Sequence, residues 1–190
     1  AKERPTRDIL HVTGVTLNLD TLHVFVVHTP SRSGGQKASE PRRLQVAQII
    51  KDATDSLFQT SPDSKIIIMG DFNDYPHNKS IAMVLGATAP IPPLNVLASQ
   101  SKQKEVGSYK YKGEWGLLDQ LIVSGALLDS NGNTHTSEEM AHIARLTFLL
   151  TEDAKYGGVQ PFRTYNGMRY QGGFSDHLPV YLDLKVKTQF

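Results

Sequence analysis

The first apolar stretches of the chain are two short runs that lie close together. Residues 9–18 (ILHVTGVTLN) and 22–28 (LHVFVVH) are rich in Val, Leu, Ile and Thr, and Asp20 and Thr21 stand between them in a short polar turn. Two such runs joined by a tight turn predict a β-hairpin. The stretch 29–39 that follows contains Pro, Gly and Ser residues, which are typical of a surface loop.

A helical period replaces the strand pattern in the next segment. Apolar residues recur there every three or four positions, at Val46, Ile49, Ile50, Ala53 and Leu57. This spacing predicts a helix over about residues 40–58. Ser39 is the expected N-cap of this helix, with Glu40 and Pro41 in its first turn.

The following apolar run, residues 65–69 (KIIIM), contains three consecutive Ile residues and indicates a central strand that is covered on both faces. Further along, the residue types predict a short helix, an irregular stretch and three more strands, at about 78–85, 87–106, 108–112, 117–124 and 178–186. Residues 137–150 fit both a helix and a strand. A helix between strands, together with several hairpins, predicts a mixed α/β layered fold.

Composition and charge limit the classes of protein to which this chain can belong. A chain of 190 residues is one domain or a piece of a larger one. Its 20 basic and 19 acidic residues give a net charge of +1, which excludes binding to nucleic acid through bulk charge alone. Residues 1–51 nevertheless hold eight basic and four acidic side chains, an excess that suits an anionic substrate. No apolar run approaches ~18 residues, so we expect no transmembrane span, and no signal-peptide pattern opens the sequence.

The chain contains no cysteine. This excludes disulfide bonds, cysteine-based zinc and iron–sulfur sites, and thiol catalysis. Any metal ion must therefore be held by oxygen and imidazole ligands, which favours Mg²⁺, Mn²⁺ or Ca²⁺.

Polar clusters stand at the ends of four predicted strands. They are His28, the run Gly70-Asp71-Phe72-Asn73, Asp119, and the run Ser175-Asp176-His177-Leu178-Pro179-Val180. Each cluster alone has an ordinary structural explanation, such as an Asx turn or a hydrogen bond at the end of a strand. Their joint occurrence at strand ends, where layered α/β folds place functional side chains, indicates one shared cleft.

The order and separation of these clusters resemble those of the endonuclease/exonuclease/phosphatase superfamily, over about residues 23–183. The resemblance implies a four-layer α/β/β/α sandwich. It also implies divalent-metal-dependent hydrolysis of a phosphodiester or phosphomonoester by a His-activated water. The substrate class stays open between nucleic acid, a phospholipid head group and a small phosphoester.

The resemblance assigns roles to the two histidines of the clusters. His177 is expected to be the general base that accepts the water proton, and Asp119 to bind the other ring nitrogen and fix its tautomer. His28 is expected to donate a hydrogen bond to the phosphate or to the leaving oxygen.

The same resemblance assigns the remaining polar residues. Asp71 and Asn73 are expected to position water and phosphate, with Asn73 donating to a phosphoryl oxygen. Asp176 is expected to contribute to the metal site, where Mg²⁺ is the expected ion and Mn²⁺ or Ca²⁺ are alternatives.

Three further residues are weaker candidates for contact with the substrate. Arg32 and Arg43 flank the loop after His28 and could approach phosphate, although a solvated loop and helix start explain them equally. Tyr165 lies in a loop shortly before the Ser-Asp-His run and could stack on a substrate or simply anchor that loop.

The family's principal metal-binding Glu and an Asn are expected on strands that come before the hairpin leading to His28. Glu3 is the one Glu in residues 1–30, and it lies in a polar opening. We therefore expect residues 1–190 to be the C-terminal part of a single domain, with the N-terminal part of the sandwich missing and the metal site incomplete.

One consequence follows from that expectation. Apolar surface on residues 22–27 and 178–184 should be exposed, or covered by a retained N-terminal segment or by self-association. A non-catalytic binding domain that keeps the fold is the alternative function. The joint presence of Asp71, Asn73, Asp119, Asp176 and His177 speaks against it, because buried acids are costly without a task.

Overall fold

The computed structural model describes residues 6–88, 93–103 and 105–187. Glu3 and the prolines Pro90 and Pro92 of the predicted irregular stretch lie outside them. The strands, in chain order, are β1 (Leu10–Val15), β2 (Thr21–His28), β3 (Lys65–Asp71), β4 (Leu94–Asn95), β5 (Tyr109–Tyr111), β6 (Glu114–Gly116), β7 (Asp119–Val123), β8 (Thr134–His135), β9 (Ala141–Ile143), β10 (Leu150–Glu152), β11 (Val159–Pro161), β12 (Tyr165–Asn166), β13 (Arg169–Tyr170), β14 (Val180–Leu182) and β15 (Lys185–Val186).

One long helix, α1 (Gln36–Thr60), accompanies these strands. The other helical elements of the described residues are short turns. They are a π-type turn at Ser80–Val84 and 3₁₀ turns at Ala98–Lys102, Gly125–Leu127, Glu138–Met140 and Thr147–Leu149.

Five strands form the main sheet, in the order β1-β2-β3-β7-β4. β1 and β2 make the predicted antiparallel hairpin, β2 runs parallel to β3, and β3 runs antiparallel to β7. The predicted central strand is confirmed, because β3 lies in the middle of the sheet and Ile66, Ile67 and Ile68 are at most 5% exposed.

The two faces of the sheet are covered by different layers. Side chains alternate along a strand, so Ile66 and Ile68 pack with α1 while Ile67 packs on the other side. That other side is covered by residues of the strand pair β9–β14 and by Leu184, which lies just before β15. The described residues thus form helix, main sheet and second strand layer, as the predicted sandwich requires.

The helix begins earlier than predicted. Its N-cap is Gly35, whose φ of 109° suits a residue without Cβ. Ser39 is therefore not the N-cap; its hydroxyl donates to the carbonyl oxygen of Gly35 at 2.9 Å. Val46 and Ile50 face the core as the period predicted, whereas Ile49 is 50% exposed.

The C-terminal third departs from the predicted strands. The single strand expected over 178–186 is split, because β14 pairs with β9 and β15 pairs with β8. The ambiguous segment 137–150 contributes the short strand β9 between two 3₁₀ turns. A strand that changes partners must break its ladder, and no local sequence pattern marks that change.

Exposed apolar residues concentrate at one edge of the main sheet. Leu10, Val12 and Val15 of β1 are 58%, 47% and 67% exposed. On the segments where exposure was predicted, Val26 and Tyr181 are the large apolar residues that are exposed among the described ones. Within the described ranges, no helix has the length and apolar character needed to cross a bilayer.

Candidate active site

The strand register brings three of the predicted residues together. His28 at the end of β2 is the register partner of Asp71 at the end of β3. Asp119, at the start of the antiparallel β7, pairs with Asp71 from the other side. Residues that are far apart in sequence therefore meet at the same end of three neighbouring strands because of strand direction alone.

Gly70 permits this close approach just before Asp71. Its φ is 129°, and an added Cβ would lie 2.0 Å from the carbonyl oxygen of Val27. Any larger residue would push β3 away from β2 at the point where His28 and Asp71 face each other. The glycine of the Gly-Asp-Phe-Asn run is therefore required by backbone geometry.

The loop before β14 places the fourth cluster at the same edge. His177 forms an isolated bridge with Tyr109, and the Leu178 amide donates to the carbonyl oxygen of Ser108 at 2.6 Å. This long-range pairing directs the His177 ring toward β7. The distance from His177 Nδ1 to Asp119 Oδ2 is 2.7 Å, so the predicted hydrogen-bond contact is confirmed.

Asp119 fixes the tautomer of His177. Its Oδ2 atom also accepts a hydrogen bond from the Ser108 hydroxyl, and an ionised carboxylate cannot donate. His177 therefore carries its proton on Nδ1, which leaves Nε2 as the nitrogen able to accept another. Ser108 is a supporting residue that the sequence analysis missed.

The charges around His177 set its basicity. Burial lowers the pKa of the ring, but the hydrogen bond that its Nδ1–H donates to Asp119 and the negative charges of Asp119, Asp71 and Asp176 outweigh burial and raise the pKa above 6.5. The protonated ring is thus stabilised where it stands.

Asp71 and Asn73 form a compact turn at the end of β3. The Asn73 backbone amide donates to Asp71 Oδ1 at 2.7 Å, and its side-chain amide donates to Asp71 Oδ2 at 3.0 Å. Asn73 adopts a φ of 48°, which Asn tolerates better than most residues. Burial raises the pKa of Asp71, opposed by the positive charge of His177 and by the Asn73 amide.

The geometry revises the expected part of Asn73. Its side-chain nitrogen donates to the carbonyl oxygen of Thr29 as well as to Asp71. An amide has two N–H bonds, so both are already used within the protein. Asn73 orients the Asp71 carboxylate here, and donation to a phosphoryl oxygen would require one of these hydrogen bonds to be released.

His28 completes the site on the opposite side of Asp71. Its Nε2 atom lies 3.4 Å from Asp71 Oδ2, and its side chain is 50% exposed. The ring is thus beside the carboxylate and open to solvent, which is compatible with the expected contact to a bound ligand.

A cleft of about 690 Å³ contains all these groups. Its lining includes seven of the nine residues predicted from sequence, namely His28, Arg32, Asp71, Asn73, Asp119, Asp176 and His177. The lining residues that were not predicted are Ser31, Ser33, Tyr109, Tyr111, Leu118 and Ser175. The alternation of Tyr109 and Tyr111 within a predicted strand was the one sequence signal that could have placed them on a shared face.

Arg43 is a correction. It is fully buried, its Nε atom lies 2.9 Å from Asp74 Oδ2, and it donates to the Ser39 hydroxyl at 2.7 Å. Because α1 begins at Gln36, Arg43 lies two turns inside the helix on its buried face and cannot reach a substrate in the cleft.

The other two candidates for substrate contact differ from each other. Arg32 lines the cleft, but its guanidinium donates to the Asn73 carbonyl oxygen at 2.6 Å and to Asn78 Oδ1 at 2.8 Å. Tyr165 lies on the β12–β13 hairpin beside Tyr170, 57% exposed, and is not among the residues that line the cleft.

The donor groups fit a hard divalent cation. Ligand atoms of Asp71, Asp119 and His177 lie within 4.8 Å of one another, and the Asp176 carboxylate lines the same cleft. His177 Nδ1 is already engaged with Asp119, and a hard divalent cation prefers oxygen, so the carboxylate oxygens are the favoured ligands. Burial disfavours the charge on Asp71, and a cation would supply the missing compensation.

Comparison of the sequence with models of known protein families identifies the family of this chain. The sequence model described as "Endonuclease/Exonuclease/phosphatase family" matches residues 1–186. The chain belongs to this family. Its members are phosphoesterases that generally use divalent metals, and the resemblance and the sandwich fold predicted from the sequence are confirmed.

Solved structures share the fold at low sequence identity. TDP2 from D. rerio, complexed with single-strand DNA product, is 17% identical with a TM-score of 0.53 over 94% of this chain and 61% of that chain. Sphingomyelinase C from Streptomyces griseocarneus is 19% identical with a TM-score of 0.51, over 90% and 56%. The mannosyl-6-phosphatase Bt3783 of Bacteroides thetaiotaomicron is 15% identical with a TM-score of 0.51, over 87% and 52%. The chain thus spans about half the length of such structures, and no curated protein matches it.

Proposed function

We propose that the cleft hydrolyses a phosphoester by attack of a water molecule that His177 activates. The observation that carries this proposal is the 2.7 Å contact between His177 and Asp119 in a cleft that also holds Asp71, Asp176 and His28. A histidine whose tautomer is fixed by a carboxylate, beside further carboxylates, is the arrangement that general-base hydrolysis requires.

The residues divide the work as follows. His177 Nε2 accepts a proton from the attacking water, and Asp119 stabilises the resulting imidazolium. The water oxygen forms the new bond to phosphorus while the bond to the leaving oxygen breaks. His28, exposed beside Asp71, is placed to donate a hydrogen bond to the phosphate or to that leaving oxygen.

Asp71 and Asp176 would hold the divalent cation that the family generally uses, and Mg²⁺ is the ion we propose, with Mn²⁺ or Ca²⁺ as alternatives. A bound cation neutralises negative charge on the phosphoryl oxygens. Asn73 and Arg32 support this part of the site through the turn that follows β3.

We also propose that residues 1–190 are the C-terminal part of one catalytic domain. The coverage of about half of the related structures and the exposed apolar residues of β1 support this. On this proposal the chain alone binds Mg²⁺ weakly, turns over slowly and either self-associates or retains an N-terminal segment. Isothermal titration with Mg²⁺ measures the affinity, and light scattering measures the association state. A tight Mg²⁺ site with fast turnover in a monomer would contradict the proposal.

The experiment that tests the function uses bis(p-nitrophenyl) phosphate with Mg²⁺ and then with EDTA, on this chain and on a longer protein that contains it. We expect Mg²⁺-dependent release of p-nitrophenol that is lost in His177→Asn. His135→Asn is the matched control, because His135 lies on β8 and does not line the cleft.

The alternative, a non-catalytic binding domain, predicts a different result in the same samples. Such a domain would bind a phosphoester with Mg²⁺ and release no p-nitrophenol in either protein.

If p-nitrophenol is released, comparison of turnover among nucleic acid, phospholipid head group and small phosphoester identifies the substrate class.

A further inference from the structure

The residues that line the cleft divide by chemistry. Tyr109, Tyr111 and Leu118 supply aromatic and apolar surface, whereas the loop after β2 supplies Ser31, Arg32 and Ser33. Phosphoester hydrolysis itself requires no aromatic surface. The tyrosines therefore need an explanation outside the proposed mechanism.

The two tyrosines extend an aromatic surface outward from the catalytic histidine. They are two positions apart on β5 and so project to the same side of that strand. Their ring centres are 6.3 Å apart at an angle of 12°, and the Tyr109 ring lies 4.8 Å from the His177 ring. Tyr111, at the outer end, is 60% exposed.

The strand that carries these rings is held firmly from behind. Lys110, between them, is 7% exposed, and its ammonium lies 2.9 Å from Asp153 Oδ2 and 2.8 Å from the Gly157 carbonyl oxygen. A two-residue turn at Lys112 and Gly113, with φ values of 52° and 89°, closes the β5–β6 hairpin in the manner of a type I′ turn. Rings on such a fixed strand form a preorganised surface rather than a mobile one.

We infer that Tyr111, with Tyr109, forms a stacking subsite that selects phosphoesters carrying a planar unsaturated ring. The inference rests on the proposed function for placing the phosphate beside His177. Stacking of a base on an aromatic side chain contributes roughly 1–3 kcal/mol, about 5-fold to 150-fold in affinity. Such a subsite would distinguish a nucleotide-like ester from an aliphatic one.

A neighbouring charge decides between two ligands that tyrosines can bind. The ammonium of Lys112 lies 5.5 Å from the centre of the Tyr111 ring. A quaternary ammonium head group, which also binds aromatic faces, would be repelled by this charge. An anionic ester with a planar ring is attracted by it, so the ring-bearing ester is the favoured ligand.

The test compares thymidine 5′-monophosphate with 1,2-dideoxyribose 5-phosphate, in which hydrogen replaces the base, by calorimetry with Mg²⁺. We expect the nucleotide to bind at least about fivefold more tightly. Tyr111→Ala should remove this difference and Tyr111→Phe should keep it. Tyr181→Ala is the matched control, because Tyr181 is 46% exposed on β14 and does not line the cleft.

Several outcomes would overturn the inference. They are equal affinity for the two ligands and no binding of either ligand. A third is a Tyr111→Ala variant that loses binding of phosphocholine, which carries a quaternary ammonium group, more than it loses binding of the nucleotide. Competition experiments with thymidine 5′-monophosphate and with single-stranded oligothymidylate show whether the ligand is a free nucleotide or a strand. Inhibition by neither competitor also overturns the inference. Because binding is measured apart from turnover, a failure of hydrolysis and a failure of stacking are distinguishable.

Discussion

Two histidine–carboxylate pairs lie in the same cleft and differ in contact distance and in the exposure of the histidine. His177 Nδ1 lies 2.7 Å from Asp119 Oδ2, and the two side chains are 20% and 12% exposed. His28 Nε2 lies 3.4 Å from Asp71 Oδ2, and the side chains are 50% and 16% exposed. The same pair of residue types thus forms a short, mostly buried contact on one side and a longer, half-open contact on the other.

The supporting structure explains the difference. Asp119 begins β7, all five residues of which are buried, and it accepts a second hydrogen bond from Ser108. Asp71 is held by Asn73, whereas His28 ends its strand facing solvent. The His177 pair is therefore fixed before a ligand arrives, while the His28 ring can follow one. A fixed pair suits a base, and a mobile ring suits a contact that forms on binding.

Substitution of each histidine gives the largest test of this contrast. We expect His177→Asn to lower kcat by about 10³-fold and His28→Asn by only about 10-fold, because general-base catalysis contributes roughly 10²–10⁴-fold. Steady-state hydrolysis of bis(p-nitrophenyl) phosphate measures both variants in the most active protein that contains this chain. Equal losses would show that the two pairs do not have separate roles.

The turn that follows β3 also contains a buried ion pair. Asp74 follows Asn73 and lies between Arg43 and Arg32, with Arg43 fully buried. We expect Arg43→Met to lower the free energy of unfolding by about 3–5 kcal/mol, because it leaves the Asp74 charge buried without its main partner. Urea denaturation measures the change.

An exposed ion pair near the same helix provides the matched control. Lys79 Nζ lies 3.3 Å from Glu40 Oε2, and the lysine side chain is 59% exposed. Glu40→Gln should change the free energy of unfolding by less than about 1 kcal/mol. A small effect of Arg43→Met would mean that the turn after β3 is held by other contacts.

Loss of the orienting carboxylate should have a smaller effect on turnover than loss of the base. In Asp119→Asn the imidazole remains, but the amide can donate to Nδ1 and favour the wrong tautomer. We expect kcat to fall by about 10²-fold with little change in KM. Ser108→Ala, which removes only the second donor to Asp119, should cost less, and the reverse order would contradict the assigned roles.

Some of this site was predictable from local sequence. The run Gly70-Asp71-Phe72-Asn73 follows three buried isoleucines, so its position at a strand end required no tertiary information. Arg43 was misassigned because the start of α1 depends on the left-handed backbone of Gly35 and not on Ser39. Tyr109 was missed because its place in the cleft depends on pairing with His177, 68 positions away along the printed sequence.

The smallest predicted effect is on the pH dependence of stability, and it concerns the His177–Asp119 pair. Negative neighbours raise the pKa of His177 in the folded protein above its ordinary value of 6.5, against the opposing effect of burial. The folded state therefore holds this proton more tightly than the unfolded state does. The resulting stabilisation is fully present below pH 6.5 and is lost as pH rises through the folded pKa.

The expected result is a free energy of unfolding that decreases with rising pH just above pH 6.5, with a slope of at most about 1.4 kcal/mol per pH unit for one proton. Urea denaturation at closely spaced pH values, in EDTA so that no cation competes, measures this slope. His177→Asn should remove its contribution, and Asp119→Asn should reduce it. The double variant should match His177→Asn, because without the imidazole Asp119 has no proton to hold in place. A slope that survives in His177→Asn would place the titrating group elsewhere and contradict the assignment to His177.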